Sequence, residues 1–276
     1  MMRIKKWCAV LLTALMGWAI YNSIAQEHKR QPSQPTRTEQ AASRYGQGTA
    51  SPLLNVSVPA SVSNQRIEHN GKVVYFNNKY RIPNCVIYDY SATEAAQADA
   101  PDAERRKDYR FMADPATEAC PTHSDYRGSG YDRGHMAPAM DMKWSKESMH
   151  DAFYMTNICP QNHLLNNGAW RILEETVHRW TKRDKRLIIA SGPVLGKDMK
   201  MIGPKRNIAV PKAFYKIVYA PNQGRAIAFL FNNERARGSF WNHVVSVDDV
   251  ERATSLGFLP GVDPSMKKNS HPNQWR

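Results

Sequence analysis

The clearest apolar periodicity in the chain runs from Trp170 to Trp180. Trp170, Leu173, Val177 and Trp180 fall at i, i+3, i+7 and i+10, the single stripe of an amphipathic helix. The opposite side carries Arg171, Glu174, His178 and Arg179, a mixed-charge surface. Asn166 stands at or just inside the start of this helix, and Glu174 lies about two turns further along. Downstream, Arg186 to Ala190 is a short apolar run ended by Ser191-Gly192-Pro193, the pattern of a buried strand. Ile208 to Tyr219 and Arg225 to Phe231 are β-branched and aromatic runs separated by Pro221-Asn222-Gln223-Gly224, which predicts a hairpin. Upstream, Lys72 to Phe76 and Arg81 to Tyr88 read as strands around a turn at Asn77-Asn78, and Ala92 to Arg106 reads as a polar, Ala-rich helix or loop. Ser246, with Asp249 three residues on, resembles a capping box opening a helix that stops near Gly257. Strands on both sides of helices, joined by hairpins, predict an α+β fold with a mainly antiparallel central sheet flanked by helices.

The two ends have a different texture. Arg3, Lys5 and Lys6 precede an apolar stretch from Trp7 to about Ile24, and Ser23-Ile24-Ala25 offers small residues for cleavage after Ala25. Residues 1–25 therefore read as a signal peptide or, if uncleaved, an N-terminal membrane anchor, and the expected location is exported, periplasmic or secreted. Residues 26–65 are rich in Gln, Pro, Ser, Thr and Ala and read as a flexible polar linker. The globular domain is expected over 66–262, with a C-terminal tail over 263–276. Across all 276 residues, 42% hydrophobic and 23% charged content excludes a disordered or multi-span chain. The net charge of +13, lowered by only three if the leader is removed, suits a polyanionic partner such as nucleic acid, anionic lipid or glycan. Cys85, Cys120 and Cys159 lie beyond the leader. One disulfide plus a free thiol is compatible with an oxidising compartment, and the spacing makes no zinc site.

Candidate chemistry is concentrated between Asp125 and Arg183. A Gly- and Ser-rich segment leads into Asp132-Arg133-Gly134-His135, where the glycine would let the backbone approach a ligand while the imidazole points into a cleft. Later come Asn157-Ile158-Cys159-Pro160-Gln161 and Leu165-Asn166-Asn167-Gly168-Ala169-Trp170. Hydrolysis of a phosphodiester needs a base to take a proton from water, and a histidine with a pKa near 6.5 suits that task. The charge that develops on phosphate and leaving oxygen calls for a cation such as Mg²⁺, held by one or two protein oxygens and its own waters. Asn166 offers a neutral oxygen, Glu174 a carboxylate for the waters, and Arg133 a bidentate contact to phosphate. Each motif alone reads as a turn or a solvated helix face; their joint occurrence in order gives them weight.

The stretch from Asp125 through Asp132-Arg133-Gly134-His135-Met136-Ala137-Pro138, Asn157 and Leu165-Asn166-Asn167-Gly168-Ala169-Trp170 to Glu174 resembles the DNA/RNA non-specific endonuclease family of the ββα-metal superfamily, the Serratia-type and endonuclease G-like group. Weaker similarity extends over roughly Arg66 to Gly261. The resemblance implies a ββα-metal motif and hydrolysis of DNA and RNA without sequence preference. It implies His135 as general base, Asn166 as the direct protein ligand of one Mg²⁺ (Mn²⁺ as substitute), and Glu174 ordering the metal's waters. Arg133 would contact phosphate and Asn157 would help to position the site.

Two departures from the family pattern stand out. His178 occupies the place where relatives carry an Arg one turn after the glutamate, with Arg179 beside it, and both are candidate phosphate contacts. The upstream Arg near the scissile phosphate is left open among Arg105, Arg106 and Arg110, with Arg106 and Arg110 as the substrate-binding candidates. The expected partners are DNA and RNA, with membrane contact only through an uncleaved anchor. The alternative function is a weak or inactive polyanion-binding protein on the same fold. A zinc-dependent HNH-type nuclease using His163 is a further rival that lacks an added ligand set.

Overall fold

Strands form where the β-branched and aromatic runs lie. The computed structural model describes residues 51–276, so the leader over 1–25 and the linker as far as residue 50 lie outside the described residues. Strands β1 (Gln65–His69), β2 (Lys72–Asn77) and β3 (Ile82–Ser91) make a meander. Strands β4 (Asp132–His135) and β5 (Ile158–Gln161) pair only with each other. Next come β6 (Arg186–Val194), the short pair β7 (Met201–Ile202) and β8 (Ile208–Ala209), and then β9 (Ala213–Ala220), β10 (Arg225–Asn232) and β11 (Val244–Val245). The main sheet has seven strands in the order β1-β2-β3-β6-β9-β10-β11, and every pairing in it is antiparallel. The α+β architecture expected from the alternation of strand and helix patterns is the one observed.

Helices are α1 (Ala92–Ala98), α2 (Lys146–Ala152), α3 (Arg171–Asp184), α4 (Val247–Thr254) and α5 (Pro264–Lys268). The sheet is buried on both faces. Val74 and Phe76 of β2 point to the core shared with Leu173, Val177 and Trp180 of α3, while Val73 and Tyr75 point to the core shared with Leu54 and with Val247 and Val250 of α4. Residues 166–170 make a wide turn that leads directly into α3. That helix ends at Lys185 in the left-handed region (φ 72°), with Lys182 and Arg183 in its last turn facing the negative end of the helix dipole.

Several local expectations change for identifiable reasons. The strand expected to stop at Ser191-Gly192-Pro193 continues to Val194; a Cβ on Gly192 would come 2.6 Å from the Tyr215 hydroxyl, so this glycine permits close packing rather than ending the strand. The run Ile208 to Tyr219 divides around Pro211, which has no N–H for a central ladder, and β8 joins β7 while β9 enters the main sheet. Helix α1 ends at Ala98, well before Arg106, and is opened by a Ser91–Glu94 capping box. Helix α4 has the expected Ser246–Asp249 box but ends at Ser255 (φ 59°), and Gly257 instead bridges Ser57. The end of the expected linker is packed: Leu54 and Val56 are buried, because this part of the linker carries apolar residues. The expected tail is packed as well, with Trp275 fully buried against Trp180 at 4.8 Å between ring centroids.

Cys85, Cys120 and Cys159 are all free thiols, so the disulfide considered from the sequence is not formed. Cys85 belongs to the core on one face of the sheet and the other two to the core on the opposite face. Burial raises the Cys85 thiol to about 12 and the Cys120 thiol to about 11, which makes both unreactive. Among the described residues no helix is long and apolar enough to cross a membrane.

Candidate active site

Strand β4 delivers His135 at its last position, opposite Ile158 of β5. The chain just beyond is clamped by Asn157, which is fully buried: its Oδ1 accepts from the Ala137 N–H at 2.9 Å, and its Nδ2 donates to the carbonyls of Ala137 (3.0 Å) and Ala152 (2.9 Å). Asn157 therefore ties the segment after His135 to the end of the helix at Ala152. Gly134 has a different purpose from the one expected. A Cβ there would lie 2.7 Å from Cβ of Gln161, so the glycine admits the neighbouring strand's side chain rather than a ligand.

The His135 imidazole sits in an aromatic slot, 5.3 Å from the Phe111 ring and 5.3 Å, edge-on, from Phe153. Its Nε2 is buried and has no hydrogen-bond partner. Burial, followed by the positive charges of Arg106 and Lys72, lowers its pKa to about 3. The ring is thus neutral near pH 7, the state that can accept a proton.

A cavity of about 260 Å³ is lined by this histidine together with Arg106, Met149, Asn166 and Glu174 among others. Asn166 lies in the wide turn before α3, and its Nδ2 donates to Asp132 at 2.9 Å. The same Asp132 carboxylate faces His163 Nδ1 at 3.0 Å and accepts from Asn167 Nδ2 at 3.3 Å. With its nitrogen committed to Asp132, Asn166 keeps its amide oxygen for another partner. Glu174 enters from α3 with Oε1 buried and unpartnered. Burial pushes its carboxyl well above the ordinary range, against the pull of the Lys216 ammonium. Lys216 is itself buried, with Nζ bonded to Ser191 Oγ at 2.7 Å and 4.5 Å from the Trp170 ring centre.

This donor set suits a hard divalent cation. It offers one amide oxygen and one carboxylate oxygen that lacks any partner, and such a cation keeps most of its waters. Among the described residues no three His, Cys, Asp or Glu side chains form a metal cluster, and His163, the histidine of the zinc alternative, is exposed and occupied by Asp132.

The arginines sort themselves by position. Arg106 lines the cavity, with its guanidinium 4.2 Å from the Phe153 ring centre and 5.3 Å from that of Phe111. Arg110 is exposed and turned back to the Lys107 and Tyr109 carbonyls, and Arg105 pairs with Asp108. Arg133 is not among the cavity's lining residues; its guanidinium lies 5.8 Å from the Phe111 ring centre, and Nη2 donates to the His123 carbonyl at 2.7 Å. Arg179 is exposed and donates to Thr176, away from the cavity.

His178 does not join the substrate side. It is 6% exposed, with Nδ1 3.1 Å from Asp141 and Nε2 3.2 Å from Asp99, and the Tyr90 hydroxyl lies 3.1 Å from Nδ1. The face of α3 that its charges suggested would be solvated is covered at this point by the end of α1 and the turn carrying Asp141. The expectation that His178 contacts phosphate is corrected accordingly. Phe111, Phe153, Asp132 and Lys216 were missed from the sequence. Asp132 was visible inside its motif, and Lys216 as the one charge in the run Ala213 to Ala220.

An antiparallel sheet bearing a two-strand ladder and a helix, with imidazole, amide and carboxylate around one cavity, defines a protein of the ββα-metal class. Residues 49–265 match the family described as DNA/RNA non-specific endonuclease. Nuclease 1, mitochondrial, of Schizosaccharomyces pombe is 31% identical over 243 residues, covering 79% of this chain and 73% of its own length. Human Endonuclease G, mitochondrial, is 32% identical over 174 residues, and the match spans 57% of this chain and 58% of that protein. A solved structure described as the EndoG/EndoGI complex shares the fold, with a TM-score of 0.68 at 24% identity over 85% of this chain and 96% of that one. The chain belongs to the DNA/RNA non-specific endonuclease family. These relatives carry mitochondrial names, which overturns the expectation of an exported protein.

Proposed function

We propose that this chain is a divalent-metal-dependent endonuclease that hydrolyses phosphodiester bonds of DNA and RNA without reading sequence. The observation that carries this reading is the shared cavity: the neutral His135 lines the same space as Arg106, Asn166 and Glu174, and His135 and Glu174 each carry a buried polar atom without a partner. His135 takes the proton of the attacking water. Arg106 binds a nonbridging phosphate oxygen, and its aromatic bed limits how far the guanidinium can swing. Asn166 would hold the cation through its amide oxygen and Glu174 would hold its waters; Mg²⁺ would fit that pair and Mn²⁺ could replace it. A cation bound there would supply positive charge for the leaving oxygen. Arg133, held at His123, contacts phosphate only after releasing that carbonyl.

Purified protein is tested on plasmid DNA and on RNA, with Mg²⁺ and with EDTA. Cleavage of both with Mg²⁺ and of neither with EDTA is expected. His135→Ala should lower kcat by at least about a hundredfold, the scale of a general base, with little change in Tm. Tight polyanion binding with no cleavage under any divalent ion would favour the binding-protein alternative instead.

A further inference from the structure

A second hollow lies on the other side of the Asn166 turn. Its volume is about 490 Å³, larger than the catalytic cavity, and its walls include His163, Leu164, Asn167, Ile172, Arg235 and Phe240. Leu164 is 54% exposed and Ile172 44%, and they are the large apolar side chains left exposed among the described residues. Both stand in this one hollow. Its rim is basic: Arg235 and the neighbouring Arg237 are exposed and make no hydrogen bond or ion pair among the described residues. Glu234 faces Asn232 and Glu175 pairs with Arg171, so neither acid neutralises Arg235.

The hollow and the catalytic cavity share a wall. Asn166 lines one and Asn167 the other, and Asp132 accepts a hydrogen bond from each. A substrate strand leaving the cavity over Asn166 meets the hollow next. We propose that the hollow receives the unstacked bases of a single-stranded flank, DNA or RNA, adjoining the scissile phosphate; this rests on the nuclease reading above. A duplex presents phosphates to a protein surface and keeps its base faces stacked inside. Gripping phosphate alone would need Arg235 but no apolar floor. Leu164 and Ile172 offer apolar contact to base faces and Phe240 a ring on which a base can stack, contacts that tolerate any base, in keeping with an enzyme that does not read sequence. Single-stranded or frayed substrate is therefore favoured over blunt duplex.

The test is fluorescence anisotropy of the full chain in EDTA, where binding proceeds without cleavage, with a labelled single-stranded oligonucleotide and a blunt hairpin as probes. The wild type should bind the single strand more tightly than the hairpin. Leu164→Ser combined with Ile172→Ser should weaken single-strand binding about tenfold and hairpin binding less than about twofold. Arg235→Gln should weaken both and reduce the salt slope by about one. Equal weakening of both probes by the double Leu164 and Ile172 variant, or no weakening by it, would overturn the proposal. So would a wild-type dimer that Leu164→Ser dissociates, since the hollow would then belong to a second copy. Should the double variant fail to fold, the wild type's own preference decides: no preference for the single strand overturns the proposal. A wild type that binds single strands as described but cleaves nothing with Mg²⁺ supports the hollow and overturns the nuclease reading alone.

Discussion

His135 and His178 occupy opposite electrostatic settings, and each makes a distinct prediction. His135 lies in an aromatic slot near Arg106 and Lys72, and its pKa is lowered to about 3. A general base works when neutral, so the acid limb that His135 imposes on log kcat/KM should fall far below the usual 6.5. Imidazole NMR shifts of His135 should show no inflection between pH 5.5 and 8; an inflection near 6.5 would contradict the buried setting. At His178, burial pulls the pKa down, but the hydrogen bonds and charges of Asp141 and Asp99 outweigh it and hold the imidazole above its ordinary value. A folded pKa above the unfolded one gives stability that is complete below about 6.5 and is lost as pH rises through the folded value. His178→Ala should therefore cost about 3 kcal/mol at pH 6, the scale of breaking a buried pair, and less at pH 9. Urea melts at the two pH values check the sign, and a larger loss at pH 9 would refute it.

Among the elements, the wide turn before α3 matters most, because it carries Asn166 while Asp132 of β4 fixes the amide from the opposite side. Asp132→Ala should raise the Mg²⁺ concentration for half-maximal rate by about tenfold, as expected for a residue that orients a metal ligand. Asp132→Asn, which keeps an acceptor oxygen, should recover part of that loss, whereas a purely structural defect would lower Tm in both variants alike. The Trp170, Leu173, Val177 and Trp180 stripe made α3 legible in the sequence, and all four are buried as the pattern requires. The motif residues His135, Asn166 and Glu174 were legible too, and they line one cavity. What local pattern could not show was which element covers which side. His178 and Lys216 are titratable yet buried, and the groups that face them, Asp141 and Asp99 for the one and Glu174 for the other, come from segments distant in sequence. The same holds for the choice among Arg105, Arg106 and Arg110, three exposed residues of one irregular segment that only tertiary folding separates.

At the scale of the whole molecule, the charge of +13 and the phosphate contacts proposed at the cavity make one prediction about salt. Binding to nucleic acid releases counterions, and log K falls with log salt at about −0.9 for each neutralised phosphate of a duplex. Arg106 and Arg235, if both engaged, contact two phosphates and give a slope near −1.8. Raising salt fourfold should then lower kcat/KM on plasmid DNA by roughly tenfold, and more if additional basic residues take part. Contacts to phosphate carry no sequence information, so this sensitivity should be the same for substrates of any base composition. A small diester such as bis(p-nitrophenyl) phosphate meets the catalytic groups but spans no second phosphate. Its hydrolysis should change little over the same range, because His135, Asn166 and Glu174 act at short range in a partly buried cavity where screening is weak. Measuring kcat/KM for both substrates at 50 and 200 mM salt separates the two effects. If the small diester loses as much rate as the plasmid, salt is acting on the metal or the fold, and the long-range charge has no part in substrate capture.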